Sequence, residues 1–184
     1  MQNLNYGVIG NCSTAALISE KGAIEWLCFP EFDSPSVFAA ILDRQKGGHF
    51  GFKVTSDYKV TQSYVPHTNI LSTHFESEEG AFDVVDFMPC YPTSDGKDFY
   101  RPAEIYRYIR WAKGRPRMKV DYRPAPNYAR GKTIYNVTSQ YVETYSSVEN
   151  KDRQYLYSSL DLKKVVNHDE ITLEKDEFFL FSFK

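Results

Sequence analysis

A chain of 184 residues can bury a core of its own without disulfides or a structural metal. Hydrophobic residues at 42% and charged residues at 25% are globular proportions, and the heavy aromatic share, 16% with 14 Tyr and 13 Phe, suits strands. A formal net charge of −2, with both signs interspersed, excludes the broad field that attracts nucleic acid or an anionic membrane surface.

The opening MQNLNYGVIGNCS has neither a basic leader nor a long apolar run, and no later stretch approaches the roughly 20 apolar residues of a membrane span. The expectation is a soluble chain. Cys12, Cys28 and Cys90 cannot all pair and lack CxxC or Cys/His spacing, which points to a reducing cytoplasm and to no metal or other cofactor. AALIS, then Glu20-Lys21-Gly22, then AIEWLC reads as a hairpin, with Gly22 supplying the positive φ of a short loop and Ile24 and Trp26 sharing a face. Asp33-Ser34-Pro35-Ser36 then leads VFAAILD, which predicts a short inserted helix with Ser34 as N-cap, Pro35 in the first turn and Gly47-Gly48 beyond its end.

Period-two runs continue at Gly51 to Val54, at Tyr58 to Val65, and at ILSTHFES and AFDVVDFM joined through Glu78-Glu79-Gly80. IYRYIRW alternates Ile105, Arg107, Ile109 and Trp111 against Tyr106, Tyr108 and Arg110, and its turn at Lys113-Gly114 into RMKVDYR predicts another hairpin. Pro89 to Pro102 and Arg123 to Lys132 read as extended surface connections. The tail offers QYVETY, QYLYSSLDL, EITLEK and FFLFSF, for about ten to twelve strands in all. No linker or repeat interrupts the pattern, so 1–184 is expected to be a single all-β antiparallel sandwich domain with one short inserted helix.

Glycoside hydrolysis needs two carboxylates at a set separation. The candidates Glu25, Asp33, Asp83, Asp86 and Glu104 show no pairing by spacing, and each suits a strand face or turn equally well. Asp33 stands out only because it adjoins the expected helix start, where its charge meets the positive dipole end. The four histidines are scattered, and neither a G-x-S-x-G elbow nor a phosphate-cradling glycine loop is present. Trp26, Trp111, Tyr64, Tyr91 and Tyr128 could stack on sugar rings, although alternation favours core packing for the two tryptophans and exposure for Tyr91 and Tyr128 in their loops.

The segment from Asn11 to Asp43, NCSTAALISEKGAIEWLCFPEFDSPSVFAAILD, resembles the opening motif of bacterial and archaeal family 15 glycoside hydrolases of glucoamylase-like and trehalase-like type. The resemblance runs on through GGHF at Gly47, YVPHTNILSTHF from Tyr64, DVVDFMP from Asp83, the stretch from Ile105 to Arg130 and the closing FFLFSF. It implies a large antiparallel β-sandwich of galactose-mutarotase-like super-sandwich type, followed in the same polypeptide by a catalytic (α/α)6 barrel that lies outside this chain. It also implies an inverting α-glucosidic-bond hydrolase as the parent, with an α-glucan or trehalose as the sugar. No catalytic residue carries over. The residues it places near barrel or substrate are Asn11, Thr14, Trp26, Pro30, Asp33, Ser34, Tyr91 and Tyr128, and Glu31 stands where the family commonly has Arg. A free-standing carbohydrate-binding sandwich is the alternative from another class.

Overall fold

The computed structural model describes residues 5–55, 57–149 and 151–183; residues 1–4, part of the opening read above as lacking a leader, lie outside the described residues. In chain order the strands are β1 (Tyr6–Gly10), β2 (Ala15–Ser19), β3 (Ile24–Cys28), β4 (Ser36–Phe38), β5 (His49–Lys53), β6 (Lys59–Tyr64), β7 (Leu71–Glu76) and β8 (Gly80–Phe87). They continue as β9 (Tyr91–Pro92), β10 (Phe99–Tyr100), β11 (Glu104–Gly114), β12 (Arg117–Arg123), β13 (Thr133–Val137), β14 (Val142–Ser146) and β15 (Gln154–Ser158). Helix α1 (Leu162–Asn167) precedes β16 (Glu170–Thr172) and β17 (Glu177–Phe183).

All pairings are antiparallel. One large sheet runs β1-β2-β3-β5-β12-β16, with β4 also on β3, the other runs β13-β14-β15-β17-β11-β8-β7-β6, and β9 pairs with β10 in a separate two-stranded ribbon. Rings from the two sheets meet between them, as Phe50 with Phe179 at 5.3 Å and Phe38 with Phe181 at 5.5 Å. The chain is therefore an all-β sandwich, and its core is the layer of Ile, Leu, Val and Phe that the period-two pattern predicts. No helix among the described residues is long and apolar enough to cross a membrane.

The hairpins β2–β3 and β7–β8 form as expected. The hairpin expected at Lys113-Gly114 does not: β11 lies between β8 and β17 in one sheet, whereas β12 pairs with β5 and β16 in the other. Both edges of β11 are taken, so the turn through Gly114, at φ 68, and Pro116 carries the chain across the sandwich. A bulge within the β2–β3 ladder interrupts alternation, so Ile24 and Leu27 are buried while Trp26, opposite Leu17, is half-buried. Trp111 is 38% exposed beside another bulge, and its Nε1 donates to the Gly114 carbonyl at 3.0 Å. Core packing for both tryptophans is thus corrected.

The helix expected over VFAAILD is also absent. Ser36–Phe38 is a strand on β3, Ala39 and Ala40 donate backbone bonds to Gly47 and Gly48 at 2.6 and 3.1 Å, and only turns, at 40–42 and 44–46, follow. Burial of Val37 and Phe38 against the sheet overrides local propensity. The helix forms instead at LKKVVN, which starts at the last residue of the run QYLYSSLDL read as strand and continues through residues assigned to no element. Asp161 caps it by accepting from Lys163 N–H at 2.9 Å, His168 closes it in the left-handed conformation, and Leu162 and Val165 are buried. The strand count exceeds the expectation by β1, β4, β9, β10 and β13, of which β4, β9 and β10 are too short to show a period.

Candidate functional site

The expected site residues fall largely at one end of the sandwich. After β1 the backbone turns at Cys12, at φ 71, and Asn11 organises that turn: its Oδ1 accepts from the N–H groups of Ser13 and Thr14, both at 3.1 Å. Asn11 Nδ2 reaches across to donate to the Pro102 carbonyl at 3.0 Å, and Thr14 Oγ1 donates to the Cys28 carbonyl at 2.6 Å. Asn11 and Thr14 are both buried, so each bond satisfies a group that water cannot reach. Two short side chains thereby tie together the turn after β1, the end of β3 and the loop before β11.

From Cys28 the chain passes the cis Phe29–Pro30 peptide into a closed turn, in which Ser34 Oγ accepts from Glu31 N–H at 3.0 Å and Ser34 N–H donates to the Glu31 carbonyl at 3.1 Å. Phe32 N–H donates to the Ser13 carbonyl at 3.0 Å. The backbone is held, yet Glu31, Phe32 and Asp33 keep exposed side chains. Since no helix begins here, Asp33 and Ser34 serve as turn residues rather than as caps. Burial raises the Cys28 thiol, which disfavours a nucleophilic thiolate.

The loop from Arg123 to Lys132 closes on the same region, because Ala125 N–H donates to the Val37 carbonyl at 2.8 Å and Tyr128 N–H to the Ser36 carbonyl at 3.2 Å. It is not extended throughout: Asn127, Tyr128 and Ala129 are all left-handed, at φ 56, 56 and 57. Three such non-glycine residues in succession store strain that the flanking contacts must hold. Beneath this turn the buried Ser36 hydroxyl finds no hydrogen-bond partner among the described residues.

Tyr91 and Tyr128 are about half exposed, at 50% and 49%, and Tyr91 packs at a tilt against Tyr100 of the β9–β10 ribbon, ring centroids 5.3 Å apart. Pro30 is half-buried within the loop, whereas Trp26 sits on β3 beside Leu17, outside the Asn11 hydrogen-bond network. The Pro102 acceptor and the left-handed turn escaped the sequence reading. Only Asn127 and Gly131, residues that tolerate positive φ, hint at the latter.

The other carboxylates considered have protein partners. Glu25 accepts from the Tyr6 hydroxyl at 2.6 Å; burial together with that carboxylate pushes Tyr6 up to about 12. Asp83 accepts from Arg110 at 2.8 Å and pairs with His74 at 2.7 Å, Asp86 holds the buried Arg107, and Glu104 accepts from Tyr106 at 3.2 Å. Among the described residues no three His, Cys, Asp or Glu side chains converge as a metal ion requires.

A family model described as "Trehalase-like, N-terminal" matches residues 5–150. A trehalase of Thermoplasma acidophilum is 33% identical over 155 residues, covering 83% of this chain and 26% of the relative. A trehalase of Thermoplasma volcanium is 36% identical over 132 residues, covering 70% and 20%, and trehalase 1 of Sulfolobus acidocaldarius is 51% identical over 85 residues, covering 45% and 14%. The chain spans about a quarter or less of the length of these curated relatives. No solved structure matches it.

Proposed function

The chain belongs to the trehalase-like N-terminal family, and from that premise we propose that it is the non-catalytic domain, 1–184, of a longer cytoplasmic hydrolase of α-glucosidic bonds, of family 15 glucoamylase or trehalase type. In this reading it packs against a catalytic (α/α)6 barrel of the same polypeptide, with the loop from Cys28 to Phe38 near the mouth of the active site. The observation that carries the reading is the end of the sandwich held by Asn11 and Thr14, where a fixed backbone presents exposed side chains. Such pre-organisation suits a contact surface, because little conformational freedom is left to lose on docking. Strand β17 finishes at the same end: Phe183 N–H donates to the Ala103 carbonyl at 3.1 Å and its ring packs on Phe29 at 6.1 Å. A polypeptide continuing past β17 would start beside the loop.

Glucose release separates the parts. The 184-residue chain is expected to release none from trehalose, maltose or starch, and the polypeptide extended downstream to release it. Release by the short chain above a buffer control sinks the non-catalytic reading. The loop's placement is tested by Asp33→Ala in the extended protein, where turnover should fall about a hundredfold, roughly 2.7 kcal/mol of transition-state stabilisation, with folding intact. Unchanged turnover would remove the loop from the mouth. The exposed Tyr91 and Tyr128 support a second reading, a carbohydrate-binding module, which saturable binding of maltooligosaccharide by the 184-residue chain would favour.

A further inference from the structure

On the outward face of the seven-stranded sheet, β5 and β12 set basic side chains directly opposite one another. Lys53 faces Lys119 and His49 faces Arg123, with Gly51 opposite Asp121 between the two pairs. Like charges at opposed cross-strand positions destabilise a sheet unless something answers them. Asp121, 4% exposed, answers in part: His49 Nε2, Lys53 Nζ and Arg123 Nε lie 2.7, 2.8 and 2.7 Å from its oxygens. His168 Nδ1 is 3.8 Å away. A single carboxylate therefore stands between two permanent cations, Lys53 and Arg123.

Beside this cluster a recess of about 320 Å³ is lined by Arg44, Lys46, His49 and Arg123 and by no carboxylate. Arg44 and Lys46 are exposed. Asp43 is engaged within the same turn by the N–H groups of Gln45 and Lys46, at 2.9 and 3.1 Å, and Glu25 by the Tyr6 hydroxyl. The wall is built to close tolerance: at Gly48, φ 73, an added Cβ would come within 2.5 Å of the Arg123 carbonyl oxygen, and Ala129 of the left-handed turn forms the opposite side. Strain held in place by its surroundings clusters at binding sites.

We propose that this recess is a binding site for a phosphate-type oxyanion, free or carried on a sugar, held by Arg44, Lys46, His49 and Arg123. Guanidinium groups match the geometry of such anions and can grip two oxygens at once. The site shares the Arg123 to Lys132 loop with the end proposed to face the barrel, and it needs no catalytic activity to be detected.

Titration calorimetry of the 184-residue chain with inorganic phosphate, at an ionic strength fixed with chloride, should show saturable binding. The double variant Arg44→Gln with Lys46→Gln, which alters exposed side chains only and should melt as the parent does without phosphate, should bind at least about tenfold more weakly. Glucose 6-phosphate forms a second arm: tighter binding than inorganic phosphate assigns the source to a sugar phosphate, and equal or weaker binding assigns it to the free anion. Absence of saturation by either probe, a response that chloride reproduces, or undiminished binding by the double variant overturns the proposal.

Discussion

A guanidinium with no access to water needs its donors answered, and four hydrogen bonds do this for Arg107. Its Nε and Nη2 meet Asp86 at 2.8 and 3.1 Å, Nη1 and Nη2 also reach the carbonyls of Phe50 and Gly22, and it stacks 4.8 and 4.9 Å from the ring centroids of Phe50 and Phe52. Removing one partner strands a buried charge, so Arg107→Ala should cost about 3–5 kcal/mol, whereas replacing both, Arg107→Met with Asp86→Leu, should fall within about 2 kcal/mol of the parent. Urea unfolding decides; a double variant as unstable as the single one defeats the argument. Asp121 differs because it sits near the surface among cations. Burial alone would raise its carboxyl, but hydrogen bonds from His49, Lys53 and Arg123 outweigh that and hold it far below the usual carboxylate range. A depressed folded-state pKa contributes stability that is present above the unfolded value, near 4, and lost as pH falls below it. Melting temperature should therefore drop as pH falls from about 4 toward 2, and Asp121→Asn should flatten that drop. An identical pH profile in the variant would show that other carboxylates dominate.

Among the elements, the left-handed turn offers the sharpest test of stored strain. Ala129→Gly removes the Cβ penalty at φ 57 and should stabilise the chain by about 0.5–1 kcal/mol, after the entropy that glycine adds to the unfolded state. A loss of stability would mean that the Ala129 methyl packs usefully. Thr14→Val should cost about 1–3 kcal/mol, since it leaves the Cys28 carbonyl buried without its donor; equilibrium unfolding measures it. Asp33→Ala should change stability by less than about 0.5 kcal/mol, because its side chain is exposed and caps no helix. These elements also show what the sequence makes legible. Alternation in IYRYIRW and RMKVDYR identifies two strands through period alone, but period carries no information about partners, and the occupied edges of β11 decide that the two lie in different sheets. SPSVF has helix-start residues and forms a strand because β3 and the loop after β12 claim its backbone, while the Asp161 cap lies inside a run that alternates like a strand. At the site, the polar pair Asn11 and Thr14 follows from the resemblance. Pro102, distant in sequence, has a role only through its carbonyl, which no residue type announces.

At the scale of the whole molecule, the most exposed aromatics gather in the loop after β3 and on the short β9–β10 ribbon: Phe32 is 62% exposed, Tyr91 50%, Phe99 52% and Tyr100 53%, whereas Tyr64 and Phe178 on the eight-stranded sheet are 45% and 40% exposed. Their loops are tethered at the end organised by Asn11, through Ser13 to Phe32 and through the Pro102 carbonyl to the segment that follows the β9–β10 ribbon. If these rings face solvent in the functional protein, changing them to Ser should be nearly neutral everywhere, since isolated surface substitutions stay within about 0.5 kcal/mol. If they seat a catalytic barrel, the same changes remove apolar area buried only in the longer polypeptide, at about 25 cal/mol per Å² withdrawn from contact. The expected outcome for Phe32→Ser with Phe99→Ser and Tyr100→Ser is therefore asymmetric. The 184-residue chain should keep its melting temperature within a few degrees. The extended polypeptide should lose about 2 kcal/mol or more in the unfolding step that separates its domains, the energy of two or three withdrawn aromatic contacts. Parallel calorimetric scans of both proteins measure the difference directly. Equal shifts in the two would mean that the rings do not touch the barrel, and the contact surface would then have to be sought on another face of the sandwich.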